Sequence, residues 1–331
     1  MVSCGRRPQS THRQLESSKI QEAEQVEEIE QRIDPEAMKS EEPEEKPNAT
    51  RVLALDMILK SLWKISVFLS DFLLEFCQAT HHSFTEDGEY VVTPSQQLRD
   101  FLLSNLSVTH SLEANGVFDF LVTILELLPL WRSENGEEKS LNSKFEVYEV
   151  AKKICNRCKM LTEIPVGRSY GIIVSAFEDL TFEKILKFIR ITLMMPCDKE
   201  MCGKRNYVER MINELPSVFT LALEWENDES GEEIFATISA LATEIDVSAI
   251  YKYNGVSKFT KYHLVSMVCL HGGQYSCVAF ENRNWVIYFG TENEVIGDWD
   301  NVLTSFAKLN IRPTLLFFEN VMGRGQIIER D

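Results

Sequence analysis

The sequence predicts an α+β fold, with helices gathered in its first third and an antiparallel sheet in its last. Two observations carry this reading. Within residues 52–79, Leu55, Ile58, Leu59, Leu62, Ile65, Leu69 and Phe72 recur at the i, i+3, i+4 spacing of one helix face. Near the other end, residues 262–270, 275–280 and 285–289 form three runs rich in β-branched and aromatic residues. They are parted by His271-Gly272-Gly273-Gln274 and Glu281-Asn282-Arg283-Asn284. Apolar runs separated by short Gly- and Asn-bearing turns make an antiparallel meander.

The remaining elements follow in chain order. Residues 1–48 are polar and acidic, and such a composition buries too little surface to offset ordering entropy, so disorder is expected. A weak helical pattern over 15–33 lacks an apolar stripe. After the long helix, further helices are expected at 95–106, opened by Thr93-Pro94, and at 117–128, stopped by Pro129. Residues 133–144 read as a polar linker, and the alternation over 145–150 as a strand leading to Cys155. A strand at 170–177, a helical stretch at 182–193 and a strand at 218–225 come next. A short helix over 232–241 places Ile234, Ile238 and Leu241 on one face. Beyond the meander, Asp298 caps a helix that starts at Trp299, and 314–318 is a last strand. The chain contains no internal repeat.

Composition narrows the function classes. A chain of 331 residues that is 44% hydrophobic has ample material for a core. Its net charge of −17 argues against a nucleic-acid partner, which calls for a basic face, and against an anionic membrane. The opening MVSCGRRPQS has no apolar h-region, so no secretory signal is expected. The most apolar segment, 52–76, is interrupted by Asp56, Lys60, Lys64, Asp71 and Glu75, which disfavours a membrane span. The expectation is a soluble chain of the cytoplasm or nucleus, with its eight cysteines reduced.

Four of those cysteines fall into two short-spaced pairs, Cys155 with Cys158 and Cys197 with Cys202. Zinc takes four soft ligands in a tetrahedron, and two such knuckles supply them. Lys153, Lys159, Lys199 and Lys204 flank the pairs and would offset thiolate charge. The alternative is four unrelated reduced thiols. Four thiolates leave no open coordination position, so the expected role of the zinc is structural. Cys77 and His81 are spaced i, i+4, but Cys77 sits among Phe72, Leu73, Leu74 and Phe76 and reads as a buried thiol. Cys269 and Cys277 lie inside expected strands and read as core, and Cys4 lies in the acidic N-terminal segment.

The motifs YHLVSMVCLHGGQY (262–275), WVIY (285–288) and LLFF (315–318) resemble the C-terminal half of the ubiquitin-specific proteases. The wording of 216–225, ATISALATEID (236–246), 296–300 and CDKEMCGKRNY (197–207) is most similar to a plant ubiquitin carboxyl-terminal hydrolase-related branch. The likeness runs over 51–320 and is weaker at DMILKSLW (56–63) and NGVFDFL (115–121). It implies a papain-like cysteine protease fold with a helical thumb, zinc-knuckle fingers and an antiparallel β palm. The parts would be a tail at 1–48, a thumb-like part at 49–135, a fingers-like part at 136–210, a palm at 211–322 and a tail at 323–331.

Carried over position by position, the family's catalytic roles fall on unsuitable residues. The nucleophile's place is Leu53, seven residues before Lys60, and the oxyanion-stabilising Asn falls on Asp56. Leu cannot attack a carbonyl, and a carboxylate would repel a developing oxyanion. The general-base His falls on Gln274, whose amide cannot shuttle a proton. The residue that orients the base falls on Phe289 or Gly290, and neither side chain accepts a hydrogen bond. A Cys–His pair works as a unit, so the resemblance implies a pseudo-enzyme of the cysteine-type deubiquitinase class. Such a protein would act by binding ubiquitin or a partner. Two alternatives remain at this point: a divergent deubiquitinase using Cys77 or Cys277 with His271, and a folded chain without function. His271 matches the family's first turn histidine, which is not the base, and it is expected to be a structural or solvent-exposed turn residue.

Overall fold

The computed structural model describes residues 47–71, 94–106, 112–128, 130–132, 138–175, 194–225, 231–253 and 259–320. The readings placed on 1–46, on Cys4, Cys77 and His81, on the helical stretch 182–193 and on the C-terminal tail lie outside them.

The long N-terminal helix is two helices, α1 (Pro47–Leu62) and α2 (Ser66–Asp71). Its apolar rhythm holds for Leu55, Ile58, Leu59, Leu62 and Ile65, which are buried, whereas Leu69 is exposed and residues 72–79 lie outside the described residues. The break comes from a distant carboxylate. Glu319, which is 1% exposed, accepts hydrogen bonds from Ser66 Oγ at 2.5 Å and the Val67 N–H at 2.8 Å. A helix start needs such acceptors for its free N–H groups, and a negative charge there is favourable. Helices α3 (Pro94–Asn105) and α4 (Leu112–Leu127) follow, the latter kinked at Gly116, where φ is 74°. The polar linker contains structure that its composition hides. Strand β1 (Leu130–Arg132) pairs with β2 (Glu138–Ser140), and a 3-10 turn at Leu141–Lys144 buries Leu141. Ser140 opens that turn by accepting from the Asn142 N–H.

Five strands form a smaller sheet: β3 (Val147–Ile154), β4 (Leu161–Ser169), β6 (Met194–Pro196), β7 (Arg205–Ile212) and β10 (Lys252–Tyr253). Its path is β10-β7-β3-β4, and β6 pairs with β7. Between β4 and β6, β5 (Ile172–Ser175) leaves this sheet and runs parallel to β8 (Val218–Glu224) in the larger one. Gly171 allows the approach: a Cβ there would lie 2.4 Å from the Thr220 carbonyl oxygen.

The larger sheet has the order β14-β13-β12-β11-β15-β8-β5, with β9 (Glu244–Asp246) beside β11. Its centre is the expected meander, β11 (Lys261–His271), β12 (Gln274–Glu281) and β13 (Asn284–Phe289). Gly272 and Gly273 hold φ of 54° and 79°, the left-handed pair that a tight hairpin needs. Strand β15 (Arg312–Asn320) is longer than its apolar run suggests and is buried from Pro313 to Glu319. Strand β14 (Glu292–Gly297) is absent from the sequence reading, because an edge strand with exposed side chains shows no apolar alternation.

Both faces of this sheet are covered. Helices α5 (Gly231–Ala240) and α6 (Trp299–Leu309) pack Ile234, Ile238, Val302 and Phe306 against Leu264, Val278 and Ile287. On the other face α1 and α4 pack Leu55, Ile58, Leu62, Leu121 and Ile124 against Val268, Cys277, Ala279 and Phe317. Burial on both sides explains why the strands read as nearly unbroken apolar runs. Among the described residues no helix is long and apolar enough to cross a membrane.

Candidate functional site

Helix α1 crosses the sheet with a fixed direction. Lys60 Nζ donates to the Gly290 carbonyl at 2.8 Å, while one turn on Lys64 reaches Glu281 Oε1 at 2.8 Å and Tyr288 OH at 3.2 Å. The seven residues from Leu53 to Lys60 span about 10 Å of helix. The start of α1 therefore points toward the end of the sheet that carries Gly290. Leu53 is partly buried and packs on the same core cluster as Tyr275 and Tyr288. Gln274 is exposed and opens β12 opposite His271, and Phe289 closes β13 with 37% of its surface exposed.

A cavity of about 430 Å³ lies alongside, between α1, α3 and the turn after β13. Its lining includes Asp56, Lys60, Trp63, Lys64, Arg99 and Gly290, with neither Cys nor His among the described residues. Opposite charges brace it. Arg99 grips Asp56 through two hydrogen bonds, of 2.5 and 3.0 Å. Glu281 accepts from Lys64 and from the Tyr288 hydroxyl at 2.6 Å, and both Lys60 and Lys64 lie 4.7 Å from the Tyr288 ring centre. Burial pushes the Glu281 carboxyl up, but the hydrogen bonds and nearby ammonium groups outweigh it and hold it below the ordinary range. Sequence reasoning missed this network, since its members are distant in the chain and follow no motif.

The two described thiols of the sheet are sheathed. Cys269 and Cys277 are fully buried, and Cys277 Sγ accepts from Ser61 Oγ at 3.2 Å. Burial pushes the Cys277 thiol up to about 11, although Ser61 and nearby lysines pull the other way.

The second site is the four-cysteine cluster at the end of the smaller sheet. Backbone hydrogen bonds close each knuckle: Cys155 N–H to Met160 O and Lys159 N–H to Cys155 O, then Cys197 N–H to Lys204 O, all at 2.9 Å. Lys159, Met201 and Gly203 take left-handed conformations at these tight turns. The four sulfurs lie within 4.8 Å of one another, with Cys155 and Cys202 3.7 Å apart and Cys158 and Cys197 3.5 Å apart. Those separations are too long for disulfides. They match the edge of about 3.8 Å expected for a tetrahedron with metal–sulfur bonds of about 2.3 Å. Backbone N–H groups of Cys158 and Arg157 draw the Cys155 thiol down to about 6. The Lys199 N–H draws Cys197 down too, but burial and the neighbouring sulfurs outweigh it and push that thiol up to about 12. The four sulfurs converge closely enough that the set fits a metal ion.

Comparison with known proteins agrees with this geometry. A family model described as ubiquitin carboxyl-terminal hydrolase matches residues 18–318. Ubiquitin carboxyl-terminal hydrolase 54 of Rattus norvegicus is 27% identical over 129 residues, which is 37% of this chain and 8% of that protein. Ubiquitin carboxyl-terminal hydrolase 53 of Homo sapiens is 25% identical over 127 residues, 37% of this chain and 12% of that protein. The chain thus spans only a small part of these relatives' length. Among solved structures, a Ubp8-containing SAGA DUB module aligns with TM-score 0.54 at 12% identity, covering 85% of this chain and 69% of the other. A second such module, bound to monoubiquitin, aligns with TM-score 0.52 at 12% identity, covering 88% and 74%. The fold is that of the ubiquitin-specific proteases, and the chain belongs to the ubiquitin carboxyl-terminal hydrolase family.

Proposed function

We propose that the chain is a ubiquitin-binding member of this family that does not hydrolyse ubiquitin conjugates, in the cytoplasm or nucleus. The observation that carries the reading is the set of residues at the family's catalytic positions: Leu53, Gln274, Phe289 and Gly290. The adjoining cavity supports it, being braced by Asp56–Arg99 and by Lys64–Glu281 and lined, among the described residues, by no thiol or imidazole. The burial of Cys277 and its raised pKa speak against Cys277 as a relocated nucleophile, since the thiolate is the reactive form. The sequence wording at 197–207 and 236–246 favours the plant hydrolase-related branch of the family.

Binding is supported from two sides. A structural relative is seen bound to monoubiquitin. In this chain the smaller sheet presents an exposed apolar row. Met194 pairs with Tyr207, and Ile154 pairs with Leu161, on four adjoining strands. These four are 37%, 65%, 57% and 55% exposed. The four-cysteine cluster at the end of this sheet would hold a structural zinc that fixes the strands.

Titrating 15N-labelled ubiquitin with the chain tests the reading by NMR. Ubiquitin resonances shift and broaden with the native chain and respond less to an Ile154→Asp, Tyr207→Asp variant. Unchanged ubiquitin spectra at millimolar concentration would contradict it.

A further inference from the structure

The face of the large sheet that carries α5 and α6, opposite α1, holds a second cavity of about 370 Å³. One wall is a run of three rings. The Phe280 and Trp285 centroids are 5.3 Å apart, and those of Trp285 and Trp299 are 5.2 Å apart, tilted by 53° and 52°. The inner ring, Trp285, is 3% exposed, whereas Phe280 is 38% exposed. The volume accepts one large apolar side chain, and the rings supply its contact surface.

Among the described residues the rim carries one cation without a partner, Arg283, beside the carboxylate of Asp298. His263 Nδ1 is engaged by Glu244 at 3.2 Å, and the Asp298 carboxylate is occupied in capping α6 through the Asn301 N–H at 2.9 Å. Arg283 lines the cavity, is exposed, and makes no hydrogen bond or ion pair among the described residues.

Its backbone is the independent observation. Asn282 and Arg283 form the two-residue turn between β12 and β13 with φ of 48° and 69°. Both central positions of such a turn are left-handed, and the second strongly favours Gly. A long cationic side chain held there against the local preference projects from a rigid hairpin at the mouth of an aromatic pocket. Strain of this kind persists where the side chain has work to do.

We infer that this pocket docks a peptide segment that presents a bulky apolar side chain next to a carboxylate. The ring wall takes the side chain, and the Arg283 guanidinium takes the carboxylate. The inference is independent of the ubiquitin reading, since the exposed row invoked there lies on the smaller sheet and this pocket on the larger one.

N-acetylphenylalanine is the minimal probe, and N-acetylphenylalaninamide is its uncharged control. Both are titrated into the full chain while the indole N–H resonances are followed by NMR. The acid shifts the Trp285 and Trp299 signals with a Kd of about 1 mM, and the amide binds roughly 5- to 10-fold more weakly. Arg283→Gly relieves the turn, so Tm rises by about 2–4 °C while the acid's affinity falls to that of the amide. Phe280→Ala weakens both compounds. Equal affinity for acid and amide, no indole shifts up to about 20 mM, or unchanged affinity in Arg283→Gly would overturn the inference.

Discussion

Removing the metal from the four-cysteine cluster should cost stability rather than an activity. The perturbation is a strong chelator, or Cys158→Ser, which takes one of the four sulfurs from a set lying within 4.8 Å. The knuckle of Cys155 and Cys158 joins β3 to β4, while that of Cys197 and Cys202 joins β6 to β7. Losing the ion removes the shared tie between the two knuckles that anchor the ends of these strands. A ligand present at a thousand times its dissociation constant stabilises by about 4 kcal/mol. For a unit of this size, about 1 kcal/mol corresponds to a Tm change of about 2–4 °C. Chelation is therefore expected to lower Tm by roughly 8–16 °C, with Cys158→Ser close to the same value. Met201→Ala is the control, since Met201 is fully exposed in the same knuckle and holds no ligand atom. Elemental analysis with scanning calorimetry reads the outcome, and one zinc per chain is expected. An unchanged melting curve together with no bound zinc would refute the reasoning.

Two further predictions concern the large sheet. Lys64→Met leaves Glu281 without its ion pair and should cost about 1–2 kcal/mol at pH 7, since both side chains are only about a quarter exposed. The depressed Glu281 carboxyl contributes stability above its unfolded value of about 4.3, and this is lost as pH falls through its lower folded value. The Tm gap between native chain and variant should then narrow below about pH 4, and an equal gap at pH 3.5 and pH 7 would contradict the assignment. Gly171→Ala places a Cβ 2.4 Å from the Thr220 carbonyl oxygen, so β5 must move off β8. A loss of about 3 kcal/mol or more in urea unfolding is expected, and a loss below about 0.5 kcal/mol would contradict the observed approach.

Where the sequence was legible, the chemistry was local. The meander showed because β-branched and aromatic runs met glycines at 272 and 273, and the structure places β11, β12 and β13 within a residue or so of those runs. The cysteine pairs showed because short-spaced thiols in two loops have few other uses, and the four sulfurs do come together. What was illegible depends on residues far apart in the chain. Nothing near Trp63 announces a helix break, since the acceptor that starts α2 is Glu319 in the last strand. The bracing of α1 against β13 joins Lys60 to a carbonyl at Gly290 and Lys64 to Glu281. The turn at Asn282-Arg283 was legible from its Asn residues, but its left-handed Arg283 was not, and β14 hides because most of its side chains are exposed. At the catalytic-type positions the residue identities were legible, but their surroundings needed three dimensions.

The central claim is that this member of the family lacks its hydrolytic chemistry. The most direct measurement is incubation of the purified chain with a fluorogenic ubiquitin substrate. A rate no greater than that of buffer is expected if Leu53 and Gln274 stand where the resemblance assigns the nucleophile and base. Turnover that disappears when a single cysteine is replaced would contradict it.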